Sequence, residues 1–233
     1  MGAAGVMRLF VSLCLFFALF SGQVCSAAAT GEKEKEGPKF RWAFGALRGS
    51  AGAPKVEPVS GTSVLKSGDK LKIMIELRKK CFVYLFHHNA QSELALLFPY
   101  DLKQFDADYQ PGRGYYVPKG DAWFQLDNKP GSETFYLIGS DQRLLDVEYL
   151  YARYVSADPE KRPEIAGRML AEIKSLSDQY RASSGEPELL AQNEAAQRGF
   201  ERATGADPTD VAGLAVDIAF NNMYSDVIVI EHR

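Results

Sequence analysis

Cysteine is scarce in this 233-residue chain, and two of its three copies, Cys14 and Cys25, lie near the N-terminus. If that segment is removed on export, Cys81 is left alone. No intramolecular disulfide can then form, so the fold must be held by its core. Histidine is equally rare, with only His87, His88 and His232, which narrows both metal and triad chemistry. Neither charge sign dominates: 27 Lys+Arg stand against 30 Asp+Glu. Without a basic cluster, nucleic acid is excluded as a partner. Long apolar runs are missing too. Leu9 to Phe20 covers about a dozen residues and Gly22-Gln23 end it, whereas a membrane-spanning helix needs about 20. No internal repeat is present.

That short apolar run has the design of an export signal. Arg8 is the only charge before Glu32, and small residues Ser26-Ala27-Ala28-Ala29 follow the run. A signal peptide is therefore predicted over residues 1–29, cleaved after Ala28 or Ala29, with a periplasmic or secreted product. Met7-Arg8 offers an alternative start. Val24 directly before Cys25 argues against lipidation, because a lipobox places a small residue there. Residues 30–38 alternate charges without apolar side chains until Pro38 and read as a solvated tether.

From Lys39 onward the dominant signal is period two. Phe40, Trp42 and Phe44 alternate with Arg41 and Ala43. Leu71, Ile73, Ile75 and Leu77 share one face of a half-buried strand, with Lys70, Lys72 and Glu76 opposite. Cys81 to Phe86 is apolar throughout, as in a central strand. Leu94–Phe98 and Tyr115–Val117 stop at Pro99 and Pro118, and Trp123–Leu126 and Thr134–Ile138 complete the series around the turn Asp127–Gly131. Short strands at this spacing predict a mainly β fold, an immunoglobulin-like β-sandwich or partly open barrel, over residues 39–155.

The period lengthens after Gly139. Ser140 or Asp141 is placed to cap a helix carrying Leu144, Val147, Tyr151 and Tyr154, which Asp158-Pro159 breaks. Pro163 opens a second helix with the stripe Ile165, Met169, Ile173, Leu176 and Tyr180, and Pro187 a third, through Leu190, Ala196 and Phe200. Residues 156–212 thus form a helical insertion, α+β overall. Residues 213–233 are read as a hairpin, Leu214–Phe220 with Val227–Ile230, that completes the sheet. A helix over Val211–Phe220 fits the same residues.

Several motifs suggest chemistry and fail on geometry. Ser63-Val64-Leu65-Lys66 and Ser67-Gly68-Asp69-Lys70 have the spacing of serine acyl-enzymes. That mechanism needs a helix start, and both copies lie where a loop enters a strand. His87 and His88 are neighbours on a strand, so they point to opposite faces. Cys81 is about 20 Å of strand away, and no metal site is expected. Asp101, Asp106, Asp108 and Asp121 lack the glycine and terminal glutamate of a calcium loop and read as solvated. No triad is recognisable.

The feature that points toward binding is aromatic: Phe98, Tyr100, Phe105, Tyr109, Tyr115, Tyr116 and Trp123. Such side chains bury large area at low entropic cost when they recognise sugars, peptides or proteins. Tyr100, Tyr109, Tyr115 and Trp123 are the candidate ligand contacts. The first three are expected at the surface, while Phe98, Tyr116 and Trp123 also suit the core.

Five segments carry a family resemblance: Leu65–Asp69, Cys81–Tyr84, Leu97–Pro99, Tyr116–Gly120 and Gly131–Phe135. In this order they resemble a bacterial envelope family known as domain-of-unknown-function family 4384, over roughly residues 40–155. The resemblance implies an all-β module of exported proteins, fused in some members to signalling or peptidase domains as a non-catalytic partner. It supplies no catalytic residues. The expected function is therefore a non-catalytic envelope module, without cofactor, that binds a protein or cell-wall partner. The alternatives are a carboxylate-dependent hydrolase of glycans or peptides, and a structural subunit of an envelope or secretion complex.

Overall fold

The computed structural model describes residues 37–48, 54–184, 189–190 and 210–233. The signal peptide expected at 1–29 lies outside the described residues, as does the tether at 30–38 apart from Gly37 and Pro38.

In chain order the strands are β1 (Lys39–Arg48), β2 (Lys55–Pro58), β3 (Thr62–Leu65), β4 (Lys70–Leu77), β5 (Phe82–His88) and β6 (Leu94–Phe98). One helical turn, α1 (Gln104–Ala107), precedes β7 (Gly114–Val117), β8 (Phe124–Gln125) and β9 (Gly131–Ser140). Helices α2 (Leu145–Ser156) and α3 (Arg162–Ser184) come next. The chain then forms β10 (Leu189–Leu190), a 3₁₀ turn (Val211–Leu214), β11 (Val216–Ala219) and β12 (Met223–His232).

These strands make two sheets. The first runs β10-β11-β1-β4-β7, with β2 on β1 and β8 on β4; the second runs β3-β12-β9-β5-β6. Neither closes into a barrel. All pairings are antiparallel except β3 with β12. The alternation read from sequence faces the two sheets toward each other. Phe40, Phe44, Leu71, Ile73 and Ile75 from the first meet Val83, Leu85, Phe135, Leu137 and Ile228 from the second. The rings of Phe44 and Phe135 touch edge to face at 4.9 Å across this interface, the geometry that aromatic quadrupoles favour.

The opposite face of the second sheet is covered by the helices, giving three layers. Tyr84, Phe86 and Ile138 project outward against Val147 and Tyr154 of α2 and Ile165, Met169 and Ile173 of α3. β5 is therefore buried on both faces, as its unbroken apolar sequence requires. The stripe predicted on the second helix is the packed one, and Met169 is fully buried.

Four local expectations are corrected. The first helix starts at Leu145, without a cap from Ser140 or Asp141. Leu189–Leu190, expected in a third helix, pair with β11 as strand, while most of that predicted helix lies outside the described residues. β11 and β12 do not form a hairpin. β11 pairs with β1 and β12 with β9, so the connection crosses from one sheet to the other and buries Ile218 and Ile228 in the same core. Finally, the outer face of β4 is solvated only toward its ends, with Lys70 exposed and Glu76 half-buried. Between them the 3₁₀ turn packs Val211 against Met74 and Ala43, and Lys72 is buried. Val211–Ala219 thus divides into a turn and a strand where the sequence allowed either a helix or a strand.

Candidate functional site

Residues 99–113 carry the chain from the edge of the second sheet to the edge of the first, and this crossing builds a cleft. β6 ends at Phe98 and β7 at Val117, each stopped by its proline as the sequence predicts. Inside the crossing, buried Gln104 takes the Tyr100 N–H on its Oε1 at 2.8 Å and donates Nε2–H to the Asp108 carbonyl at 3.3 Å. The backbone N–H of Lys103 donates to Asp101 Oδ1 at 2.7 Å. These bonds fix a short loop whose own backbone would otherwise lack partners.

The aromatics of this crossing take two roles. Tyr109 points inward: its Oη accepts the Val83 N–H at 2.6 Å, and its ring packs edge to face on Phe105 at 4.8 Å. Burial pushes its hydroxyl well above the ordinary tyrosine range. Tyr115 is buried as well, and its Oη accepts from Gln110 N–H at 2.9 Å and donates to the Asp108 carbonyl at 3.0 Å. The expected surface placement of Tyr109 and Tyr115 is therefore corrected. Their rings seal the gap between the sheet edges; the Tyr109 hydroxyl satisfies the Val83 N–H of β5 and the Tyr115 hydroxyl satisfies loop backbone. Tyr100 is half-buried and donates its hydroxyl to the Tyr116 carbonyl at 2.6 Å. Trp123 lies outside the cleft lining, with Lys72 Nζ 5.4 Å from its ring centroid.

The cleft itself has a volume of about 490 Å³, within the range of small-ligand sites. Tyr100, Tyr115 and Tyr116 supply its aromatic wall, and Lys103, Arg113 and Lys119 its cations. Lys119 Nζ sits 4.1 Å from the Tyr100 ring centroid, a cation–π contact. Arg113 is committed elsewhere, ion-paired with Asp108. Among the described residues, neither Lys103 nor Lys119 has a carboxylate partner. The sequence reading found the tyrosines and missed both lysines. Lys119 was nevertheless within the Tyr116–Gly120 segment, and a cation following an aromatic strand and a proline was the available signal.

A smaller cleft, about 240 Å³, opens where the two sheets part. His87 and Glu133 meet there at 2.6 Å, and His232 lies 3.0 Å from Ser67 Oγ. Burial lowers the pKa of His87, opposed by the Glu133 carboxylate. The Ser67–His232 pair has no oxyanion donor in its own adjoining backbone. The Ser67 N–H is taken by the Arg233 carbonyl and the Gly68 N–H by the Leu126 carbonyl, which leaves neither as an oxyanion donor. Among the described residues, no three His, Cys, Asp or Glu side chains are placed to hold a metal ion, and no helix is long and apolar enough to cross a membrane.

Fold and clefts define a mainly β, two-sheet domain with a helical layer and an aromatic, lysine-bearing recess at one edge. Residues 64–143 match the model of a family described as domain of unknown function (DUF4384), a narrower span than the resemblance read from sequence. The whole lysine–tyrosine cleft falls inside it. No curated protein matches the chain. No solved structure matches it either.

Proposed function

We propose that this protein is an exported bacterial cell-envelope module that binds a cell-wall component, without catalysing a reaction, in the cleft walled by Tyr100 and Tyr116. The observation that carries this reading is a pair of ammonium groups without carboxylate partners in one cleft, Lys119 over the Tyr100 ring and Lys103 elsewhere in the lining. Ammonium groups at a concave aromatic wall that are not spent on a carboxylate of the protein are available to a ligand. The cleft carboxylates favour binding over hydrolysis. Asp108 is ion-paired with Arg113, so the two cleft carboxylates are not a free acid–base pair of the glycosidase kind. A second reading, docking of a protein, is favoured by one observation: Leu145 and Tyr149 are 65% and 62% exposed one turn apart on α2.

Export of the chain is part of the proposal, supported by the Arg8, Leu9–Phe20 and Ala27–Ala29 pattern. The envelope-recovered chain then begins at Ala29 or Thr30 by mass spectrometry. Sedimentation with purified peptidoglycan sacculi tests the binding. The full chain is expected to pellet with sacculi, and Lys103→Met with Lys119→Met to stay in solution while keeping the wild-type circular dichroism spectrum. Pelleting that ignores both substitutions removes the cleft from the proposal.

A further inference from the structure

We infer that the ligand of this cleft is an acidic sugar, a hydroxyl-bearing ring that also carries a carboxylate. The inference rests on the binding-module reading and gives it a ligand class. Its basis is that the cleft offers both signs of charge in different states. Lys119 is held at the face of Tyr100 rather than by a counter-ion, and Lys103 has no carboxylate partner among the described residues. Asp101 takes one backbone N–H on Oδ1 and keeps acceptor capacity for further donors. A ligand bearing only negative charge would meet Asp101 as repulsion. A ring with several hydroxyls and one carboxylate suits both signs: a hydroxyl donates to Asp101, its anion meets the ammoniums, and its apolar face packs on Tyr116.

Other anions suit the site less well. A phosphate could meet the two lysines as point charges, but it has no ring hydroxyls for Asp101, and the one arginine in the lining, Arg113, is paired with Asp108 and offers it no fork. A peptide adding to the β7 edge needs free backbone acceptors, but the Tyr116 carbonyl is already taken by Tyr100 Oη. An aliphatic acid has nothing to offer the carboxylate oxygens.

Calorimetric titration of the full chain with N-acetylmuramic acid and with N-acetylglucosamine separates the terms, since the first is the second with a carboxylate-bearing lactyl ether in place of its 3-hydroxyl. At low ionic strength the acidic sugar is expected to bind at least about tenfold more tightly, a factor worth 1.4 kcal/mol. Added salt should shrink that advantage. Lys119→Met is expected to bring the acidic sugar down toward the affinity of the neutral one. Equal affinities for the two sugars would overturn the acidic-sugar inference and leave the cleft as a binding site. Failure of both sugars, with sacculi still retained through the two lysines, would also overturn the inference alone. Failure of both sugars together with cleft-independent or absent retention would overturn the binding reading as well.

Discussion

Tyr84 donates its hydroxyl hydrogen to Glu148 Oε1 at 2.6 Å, and the same oxygen of Tyr84 accepts the Leu144 N–H at 3.0 Å. One side chain of the central strand β5 thus serves as the cap that α2 lacks. It also holds a buried carboxylate, which Arg143 meets from the other side through its Nε at 3.0 Å. Burial, reinforced by the Glu148 bond, drives the Tyr84 hydroxyl far above the ordinary tyrosine range. It stays a proton donor at any physiological pH.

Tyr84→Phe is expected to keep the ring packing and lose both bonds. A buried acceptor and a helix-end N–H are then left short of partners, at a cost of about 1–3 kcal/mol. Urea denaturation followed by circular dichroism should show the midpoint fall. An unchanged midpoint would mean that water replaces the hydroxyl at no cost.

Gly139→Ala should destabilise the sandwich although it adds one carbon. A Cβ there would stand 2.7 Å from Phe40 Cε1 and 3.0 Å from the Phe220 ring, and both rings are buried. Overpacking of this kind costs about 1–3 kcal/mol. The check is the thermal midpoint, with Ser132→Ala on the exposed part of the same strand as a control expected to move little.

Cys81 should be inert in the folded protein. Its burial pushes the thiol from 9.0 up to about 12, a rise only partly offset by its bond to the Lys39 carbonyl. Reactivity follows the thiolate, so iodoacetamide at pH 8 is expected to label the chain only after denaturant is added. A raised acid pKa means the stabilising contribution is complete below pH 9 and is lost as pH climbs toward 12. Cys81→Ala should flatten stability across that alkaline window. Rapid labelling of the native protein would show the site to be open.

His87 titrates the opposite way. Burial holds it neutral, so its folded pKa lies below the ordinary 6.5. In acid the unfolded chain therefore binds a proton that the native chain resists, and stability should decline as pH drops below about 6.5. The facing groups are Glu133 on β9, His232 on β12 and the Asp127 and Lys129 side chains of the intervening loop. His87→Gln is expected to weaken the acid dependence between pH 7 and 5. A dependence identical to wild type would assign the acid response to another group.

Much of the fold was legible because alternation is a local signal. Phe40 to Phe44 and Leu71 to Leu77 declare their faces without reference to anything distant. The stripe from Ile165 to Tyr180 does the same at helical period. Sheet membership was not legible. Ile218 and Ile228 look alike in sequence, and only the crossing between sheets explains why their strands never pair. The cleft was read in part. Its tyrosines stand out by composition, but whether a hydroxyl faces solvent or loop backbone depends on where residues 99–113 cross. Tyr109 and Tyr115 were therefore placed wrongly, while neither Lys103 nor Lys119 was singled out as a contact. His232 gave no hint that it would end beside Ser67, 165 positions earlier.

The place of β12 in the second sheet has a consequence for biosynthesis. It lies between β3 and β9, yet it comes after both, so those two strands have no central partner until residues 223–232 have left the ribosome. Early chain can assemble β1 with β4 or β5 with β9, but it cannot complete the layer. The second sheet is complete only once residues 223–232 are present, because β12 alone joins β3 to β9.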